Sequence, residues 1–90
     1  MTKPLARHII LGVHITDRIR HVGQVQKILS EYGDQIKTRL GLHEAAADFC
    51  SPNGLLLLEL LDHGEKKTEL VGQLRQVEGV EVKEMVFDHP

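Results

Sequence analysis

Histidine and cysteine are the residues of this sequence with the clearest capacity for chemistry. The chain of 90 residues has six histidines and a single cysteine, Cys50. Their spacing contains no CxxC, HxH or HExxH motif, the patterns that mark metal sites in sequence. Imidazole and thiolate ligands together suit nickel, zinc or copper. Any such site must therefore be assembled by the fold from residues that are distant in sequence.

Two predicted strands bring part of this set together. Alternating apolar residues predict a first strand from Arg7 to Ile15, and a second strand is predicted from Gln35 to Leu42. If the strands run in the same direction, His14 and His43 lie at one edge of the sheet, and Cys50 follows in the next loop. These three residues are a candidate transition-metal site. Exposed histidines and a cysteine that fills the core are the alternative. The same topology groups three histidines at the opposite edge: His8, His63 and His89.

Apolar residues at helical spacing predict two helices. The first begins at an N-cap formed by Thr16 or Asp17 and ends at Gly33, the position where glycine commonly terminates a helix. The second runs from about Glu65 to Val77, and Gly79 ends it.

The remaining strands complete an α+β fold. Leu55 to Leu61 follows the turn residues 51–54, and its length favours a strand, whereas Val80 to Phe87 forms the last strand. The order βαββαβ predicts a ferredoxin-like sandwich, with an antiparallel sheet of order 4-1-3-2 and both helices on one face. We expect residues 1–90 to form a single domain with an ordered core over 7–87.

The sheet has more apolar residues than one helix-covered face can bury. Leucines occupy both faces of the third strand from Leu55 to Leu58, and the outer strands add Ile10, Met85 and Phe87. Burial of each such side chain gains about 1.5–3 kcal/mol. We therefore expect a homo-oligomer, a dimer or tetramer, in which a second copy covers the open face at Leu56 and Leu58.

In the second strand, alternation predicts one face with Ile36, Leu40 and Leu42 and another with Lys37, Arg39 and Gly41.

The composition excludes several classes of function. The formal net charge of −2 and the aromatic content of 3% do not suit a nucleic-acid-binding domain. No apolar run is long enough to span a membrane, and a single cysteine favours the cytoplasm. Residues 1–39 carry seven basic and three acidic side chains, which indicates either attraction of an anionic ligand or a solvated basic face.

The sequence contains no clear motif for phosphate binding or for nucleophilic catalysis. The segment His14-Ile15-Thr16-Asp17 lacks the glycines of a phosphate-binding loop, so the pattern of acylphosphatases is absent. Cys50 precedes a turn, with no sequence signal for an activating base. We therefore predict a protein that is not an enzyme.

Three segments carry a resemblance to a known family. Arg39-Leu40-Gly41-Leu42, the leucine-rich third strand and the closing segment 70–83 resemble the small iron-only hydrogenase system regulators. That family is related in fold to ACT domains and to the C-terminal domain of the nickel-responsive repressor, and the resemblance covers about residues 7–85. It implies a regulatory or ligand-sensing module that oligomerises. Cys50 matches the cysteine of the repressor's nickel site, but the HxH pair and the DNA-binding segment have no counterpart here.

The leading hypothesis is a cytoplasmic, homo-oligomeric ACT-like module that senses a small ligand or contacts a regulatory protein. Its candidate ligand-binding residues are Arg39, Gly41 and His43. The alternative is a nickel or zinc sensor or carrier, in which a divalent transition metal is held by His14, His43 and Cys50. We expect no direct contact with nucleic acid or with a membrane.

Overall fold

The described part of the chain forms four strands and two helices. A computed structural model describes residues 6–42, 54–62 and 64–89. The elements in chain order are β1 (Ala6–Ile15), α1 (Arg18–Glu31), a 3-10 turn (Gly33–Gln35), β2 (Ile36–Leu42), β3 (Gly54–Leu60), α2 (Glu65–Gln76) and β4 (Val80–His89). No helix within these ranges is long and apolar enough to cross a membrane.

The strands form one antiparallel sheet in the order β2-β3-β1-β4. This is the predicted order 4-1-3-2 seen from the other edge, so the ferredoxin-like βαββαβ prediction is confirmed. β1 lies in the centre, and it pairs with β4 along its full length, from Ala6 opposite His89 to Ile15 opposite Val80.

The hydrophobic core lies between the two helices and one side of the sheet. Alternate residues of β1 from Ile9 to Ile15 are fully or almost fully buried, and Leu58 and Leu60 of β3 lie beside them. We call this side the helix face. The other side, the open face, carries Ile10, Gly12 and His14 of β1 with Leu55 and Leu57 of β3. The helices contribute buried side chains on their inner sides: Val25, Ile28, Leu29, Leu70, Val71 and Leu74.

The open face differs from the prediction in β3. Leu58 is 1% exposed and belongs to the core, and Leu56 packs against the same core. The prediction that Leu56 and Leu58 form an interface is therefore wrong. Their neighbours Leu55 and Leu57 point to the open face, because successive strand residues alternate between faces.

A β-bulge in β2 also corrects the predicted alternation. Ile36 pairs with Leu60, but Thr38 pairs with Glu59, so Lys37 is an additional residue in β2. An additional residue exchanges the two faces for the remainder of the strand. Ile36 therefore lies on the helix face, whereas Leu40 lies on the open face opposite Leu57.

Gly33 follows the C-cap residue Tyr32 at the end of α1, as predicted, but it does not adopt the left-handed conformation of a glycine cap. The amide of Tyr32 donates to the carbonyl of Ile28 at 3.2 Å, and the chain continues into the 3-10 turn that begins at Gly33. Among glycines, a positive φ occurs at Gly64 and Gly79 in the described ranges, not at Gly33. The helix ends because the backbone tightens, and a left-handed glycine is not needed.

Tyr32 links the two helices. Its hydroxyl accepts a hydrogen bond from the amide of Gln73 at 2.8 Å and lies 3.4 Å from Glu69 as a donor. Burial and the nearby Glu69 carboxylate raise the pKa of Tyr32 above its usual value. Tyr32 therefore remains a neutral hydrogen-bonding group throughout the physiological pH range.

The junction between β1 and α1 packs against the turn before β4. The amide of Thr16 donates to the carbonyl of Gly79 at 2.7 Å. Asp17 occupies the predicted N-cap position with a φ of 53°, and its side chain forms no capping hydrogen bond. Its carbonyl instead accepts from the amides of Arg20 and His21. Gly79 has a φ of 80°, a left-handed value that favours glycine.

Candidate functional site

The predicted ligand residues of β2 lie on the outer part of the helix face. Arg39 pairs with Leu58 and Gly41 pairs with Leu56, and both are exposed. β2 is an edge strand, so this part of the helix face is accessible to solvent. The third predicted residue, His43, lies outside the described residues.

Arg39 offers an anion-binding group at this position. Within the described ranges, its guanidinium forms no ion pair and no hydrogen bond. A planar guanidinium binds carboxylate and phosphate groups through two parallel hydrogen bonds. Gly41, two residues further on, leaves the strand surface flat beside it. A Cβ atom at Gly41 would lie 3.6 Å from Cδ2 of Leu56, an ordinary contact, so the fold itself does not require glycine there.

Among the predicted metal ligands, His14 is the residue that the structure describes. His14 lies on the open face, opposite Leu55, whereas Arg39 and Gly41 lie on the helix face. Two strand spacings, about 10 Å, separate β1 from β2. His43 and Cys50 are outside the described residues, and within those residues no group of three or more His, Cys, Asp or Glu side chains is placed to hold a metal ion. The transition-metal site of His14, His43 and Cys50 therefore stays a prediction.

The sequence also predicted a group of three histidines at the opposite edge of the sheet. Two of them, His8 and His89, lie on the neighbouring strands β1 and β4. His8 pairs with Phe87, and His89 is two residues further along β4. His63 lies outside the described residues.

Among the large apolar side chains of the described chain, those with the highest exposed fractions lie on the open face. Met85 is 55% exposed, Phe87 54% and Leu40 52%, and Leu55 is 37% exposed. All four lie on the open face, together with the partly buried Leu57. Isolated exposed apolar residues are normal on protein surfaces, but a group on one sheet face is typical of an interaction site.

A charged cluster lies at one end of this apolar surface. Nδ1 of His8 is 2.9 Å from Oε2 of Glu59, and Nζ of Lys37 is 3.8 Å from the same oxygen. The hydrogen bond with His8 and the positive charge of Lys37 lower the pKa of Glu59 below its usual value. Glu59 is therefore ionised at neutral pH and interacts with two basic side chains from β1 and β2.

We expect the Glu59 interactions to stabilise the fold at pH values above the usual pKa of a carboxyl group. A carboxyl group with a lowered pKa in the folded state contributes stability at higher pH, and this contribution disappears as the pH falls through its folded pKa. In urea unfolding at pH 6 and pH 3, Glu59→Gln should lose less stability between the two pH values than the wild type. Glu78→Gln, at an exposed position in a turn, is the control and should lose as much as the wild type. An equal loss in Glu59→Gln and in the control would contradict the assignment.

The sequence did not reveal the pairing of His8 with Glu59. Glu59 interrupts a run of leucines, which was its only signal. His8 was grouped with other histidines because of its place in β1. The contact is diagonal across β1 and β3, so it depends on a register that the sequence pattern does not specify.

Comparison with known proteins gives no match to a protein-family model and no match to a curated protein. Solved structures do match. An uncharacterized protein from Thermotoga maritima is 24% identical, with a TM-score of 0.75, over 91% of this chain and 99% of the other. The ACT domain of a GTP pyrophosphokinase from Chlorobium tepidum is 21% identical, with a TM-score of 0.56, over 91% of this chain and 100% of that domain.

The third similar structure is CPII, a nitrogen regulatory PII-like protein from Thiomonas intermedia K12, bound to ADP, AMP and bicarbonate. It is 14% identical, with a TM-score of 0.56, over 97% of this chain and 99% of the other. The chain has the ferredoxin-like fold of ACT domains and PII-like proteins. At these identities the likeness concerns the fold, and function requires separate arguments from the residues of this chain.

Proposed function

We propose that this protein is a non-enzymatic, ACT-like regulatory module that acts as a homo-oligomer and senses a small ligand. The fold is shared with regulatory domains, which supports this class of function. Its sequence motifs resemble those of the iron-only hydrogenase system regulators, and this resemblance supports a role in the regulation of such a system. We place it in the cytoplasm, as its single cysteine favours.

The exposed apolar surface of the open face is the observation that carries the proposal. Four large apolar side chains on this face are at least 37% exposed, and burial of each gains about 1.5–3 kcal/mol. Both helices lie on the other face, so no element among the described residues covers these side chains. A second copy of the chain presents the same surface and can cover it around a two-fold axis. The open face is therefore the proposed interface between copies.

Charged substitutions on the open face should reduce the size of the assembly. Leu40→Lys combined with Leu55→Lys places two charges within the proposed interface. Both positions are already exposed, so folding should persist. Sedimentation should give a lower mass than that of the wild type. The matched control, Gln24→Lys with Gln76→Lys, adds the same charge to exposed helix positions and should keep the wild-type mass.

Equal masses for the two double variants would contradict packing through the open face. A monomeric wild type at micromolar concentration would contradict the homo-oligomer as a whole. Circular dichroism of each variant confirms that a change in mass does not reflect unfolding.

We place the ligand site at the end of β2, with Arg39, Gly41 and His43 as its residues. Arg39 supplies a guanidinium without a partner in the described chain, so a carboxylate or phosphate group is the ligand chemistry that it suits. The structural neighbour CPII was solved with nucleotides and bicarbonate, which are anions, and this supports a small anionic ligand here.

Removal of the guanidinium should weaken ligand binding. Hydrogen bonds to charged groups contribute about 1.5–3 kcal/mol, so Arg39→Ala should reduce affinity by roughly 10- to 100-fold. Calorimetric titrations with ADP, AMP, bicarbonate and amino acids test this. The control is Lys66→Ala, an exposed basic residue of α2. A ligand that binds Arg39→Ala as tightly as it binds the wild type would place the site elsewhere.

A further inference from the structure

The three histidines of the described strands all belong to the open face. His8 and His14 lie in β1, at positions that alternate with the buried residues of the core. His89, in β4, is opposite Ala6, which is two residues from His8 in β1 and shares its face. His8 and His89 lie near one end of the open face and His14 lies near the other. Histidines therefore border the exposed apolar surface at both ends.

The charged residues of the open face balance one another while the imidazoles are neutral. Lys37 and Glu59 belong to the charged cluster at one end, where the ammonium and carboxylate groups are 3.8 Å apart. At the other end, Glu81 is opposite His14. Lys83 is two residues further along β4 and has the same face. Two acidic and two basic residues give this face of the described strands a net charge of zero.

The cluster around His8 becomes positive when His8 is protonated. Oε2 of Glu59 on β3 is 2.9 Å from Nδ1 of His8, and Phe87 is opposite His8 on β4. The same carboxylate oxygen is 3.8 Å from Nζ of Lys37 on β2. After protonation, one carboxylate of this cluster faces two cations. His89, next but one to Phe87 in β4, adds a further positive charge at this end.

The end around His14 changes in the same direction. Leu55 is opposite His14 on β3, and Glu81 is opposite it on β4. Glu81 already has Lys83 as its neighbour on the same face of β4. Protonation of His14 therefore gives this end of the face an excess of positive charge as well.

We propose that these histidines make the assembly of the open faces dependent on pH, so that the copies associate at neutral pH and separate as the pH falls towards 5.5. Imidazole is the side chain that gains a proton in this range. A two-fold axis brings the same positive charges together from both copies, and an uncompensated charge is costly to remove from water. The inference rests on the proposed function, because it takes the open face as the interface between copies.

Sedimentation at pH 7.5 and pH 5.5 tests the inference. The dissociation constant of the wild-type assembly should rise by about 10-fold or more at the lower pH, since exclusion of one proton per copy changes that of a dimer by up to about 100-fold per pH unit. The combined variant His8→Gln, His14→Gln and His89→Gln should lose most of this dependence, because glutamine stays neutral.

The matched control is His21→Gln, which removes an imidazole from α1 and leaves the open face unchanged. It should retain the pH dependence of the wild type. Circular dichroism at both pH values shows whether each variant is folded, so that dissociation is distinguished from unfolding.

The outcomes separate the inference from the proposed function. A wild type that is monomeric at both pH values overturns the proposed homo-oligomer and the inference with it. An oligomer with the same dissociation constant at both pH values overturns the inference alone. Tighter assembly at pH 5.5 also overturns it, because the protonated histidines then face carboxylates of the other copy. Equal pH dependence in the wild type and the combined variant assigns the effect to other groups.

Discussion

Replacing Leu58 with alanine should lower the free energy of unfolding by about 3 kcal/mol, whereas Leu57→Ala should lower it by about 1 kcal/mol or less. Leu58 is 1% exposed in the core between the sheet and the helices, and its truncation leaves a cavity. Leu57 is only partly buried on the open face. Urea unfolding at low protein concentration measures both variants with little contribution from assembly.

The pair of leucines tests the register of β3 directly. A shift of one residue would exchange the two faces of the strand and therefore exchange the two results. Equal losses for Leu57→Ala and Leu58→Ala would show that both faces are buried within one chain, which would contradict the open face.

Gly79→Ala should lower the free energy of unfolding by about 2–3 kcal/mol, whereas Gly72→Ala should raise it by about 0.5–1 kcal/mol. The φ of 80° at Gly79 disfavours any side chain, and a Cβ atom there would lie 2.9 Å from Cδ2 of His21 and 3.2 Å from the carbonyl oxygen of Thr16. At Gly72, in α2, a Cβ atom would have no neighbouring atom within 4 Å, and alanine favours the helix. Thermal and urea unfolding of both variants give the sign and size of each effect.

A second substitution separates the two causes at Gly79. His21→Ala removes the imidazole that a new Cβ would contact, so it should recover part of the loss in Gly79→Ala. The part that remains reflects the left-handed backbone and the Thr16 carbonyl. A Gly79→Ala protein as stable as the wild type would contradict the geometry of this turn.

Sequence periodicity predicted most of the fold. The stripe of α2 over Leu70, Val71 and Leu74 and the alternation of β1 both reflect local spacing on one element, and both are confirmed. The chain order of strands and helices then limits the topology to few alternatives. The order of the sheet is confirmed for the same reason.

The bulge in β2 could not be predicted in this way. It depends on how Ile36 and Thr38 pair with Leu60 and Glu59, which are more than twenty residues away. Strict alternation therefore placed Leu40 with Ile36. The bulge instead moves Leu40 to the open face, where it enlarges the apolar surface.

The candidate sites were predictable only in part. The exposed position of Arg39 at an edge strand follows from the predicted topology, whereas its placement on the helix face depends on the bulge. Contact between His8 and Glu59 depends on a diagonal between two strands. The proposed contributions of His43 and Cys50 lie outside the described residues and rest on the sequence alone.

Native mass spectrometry of the wild-type protein, purified without a chelator or a histidine tag, shows whether the protein is an oligomer and whether it holds a small ligand. We expect a homo-oligomer that carries additional mass from a small anionic ligand, either retained from the cell or added during titration. Additional mass that matches nickel or zinc would support the metal site of His14, His43 and Cys50 instead. A monomer that binds none of these would contradict the proposal of an oligomeric ligand-sensing module.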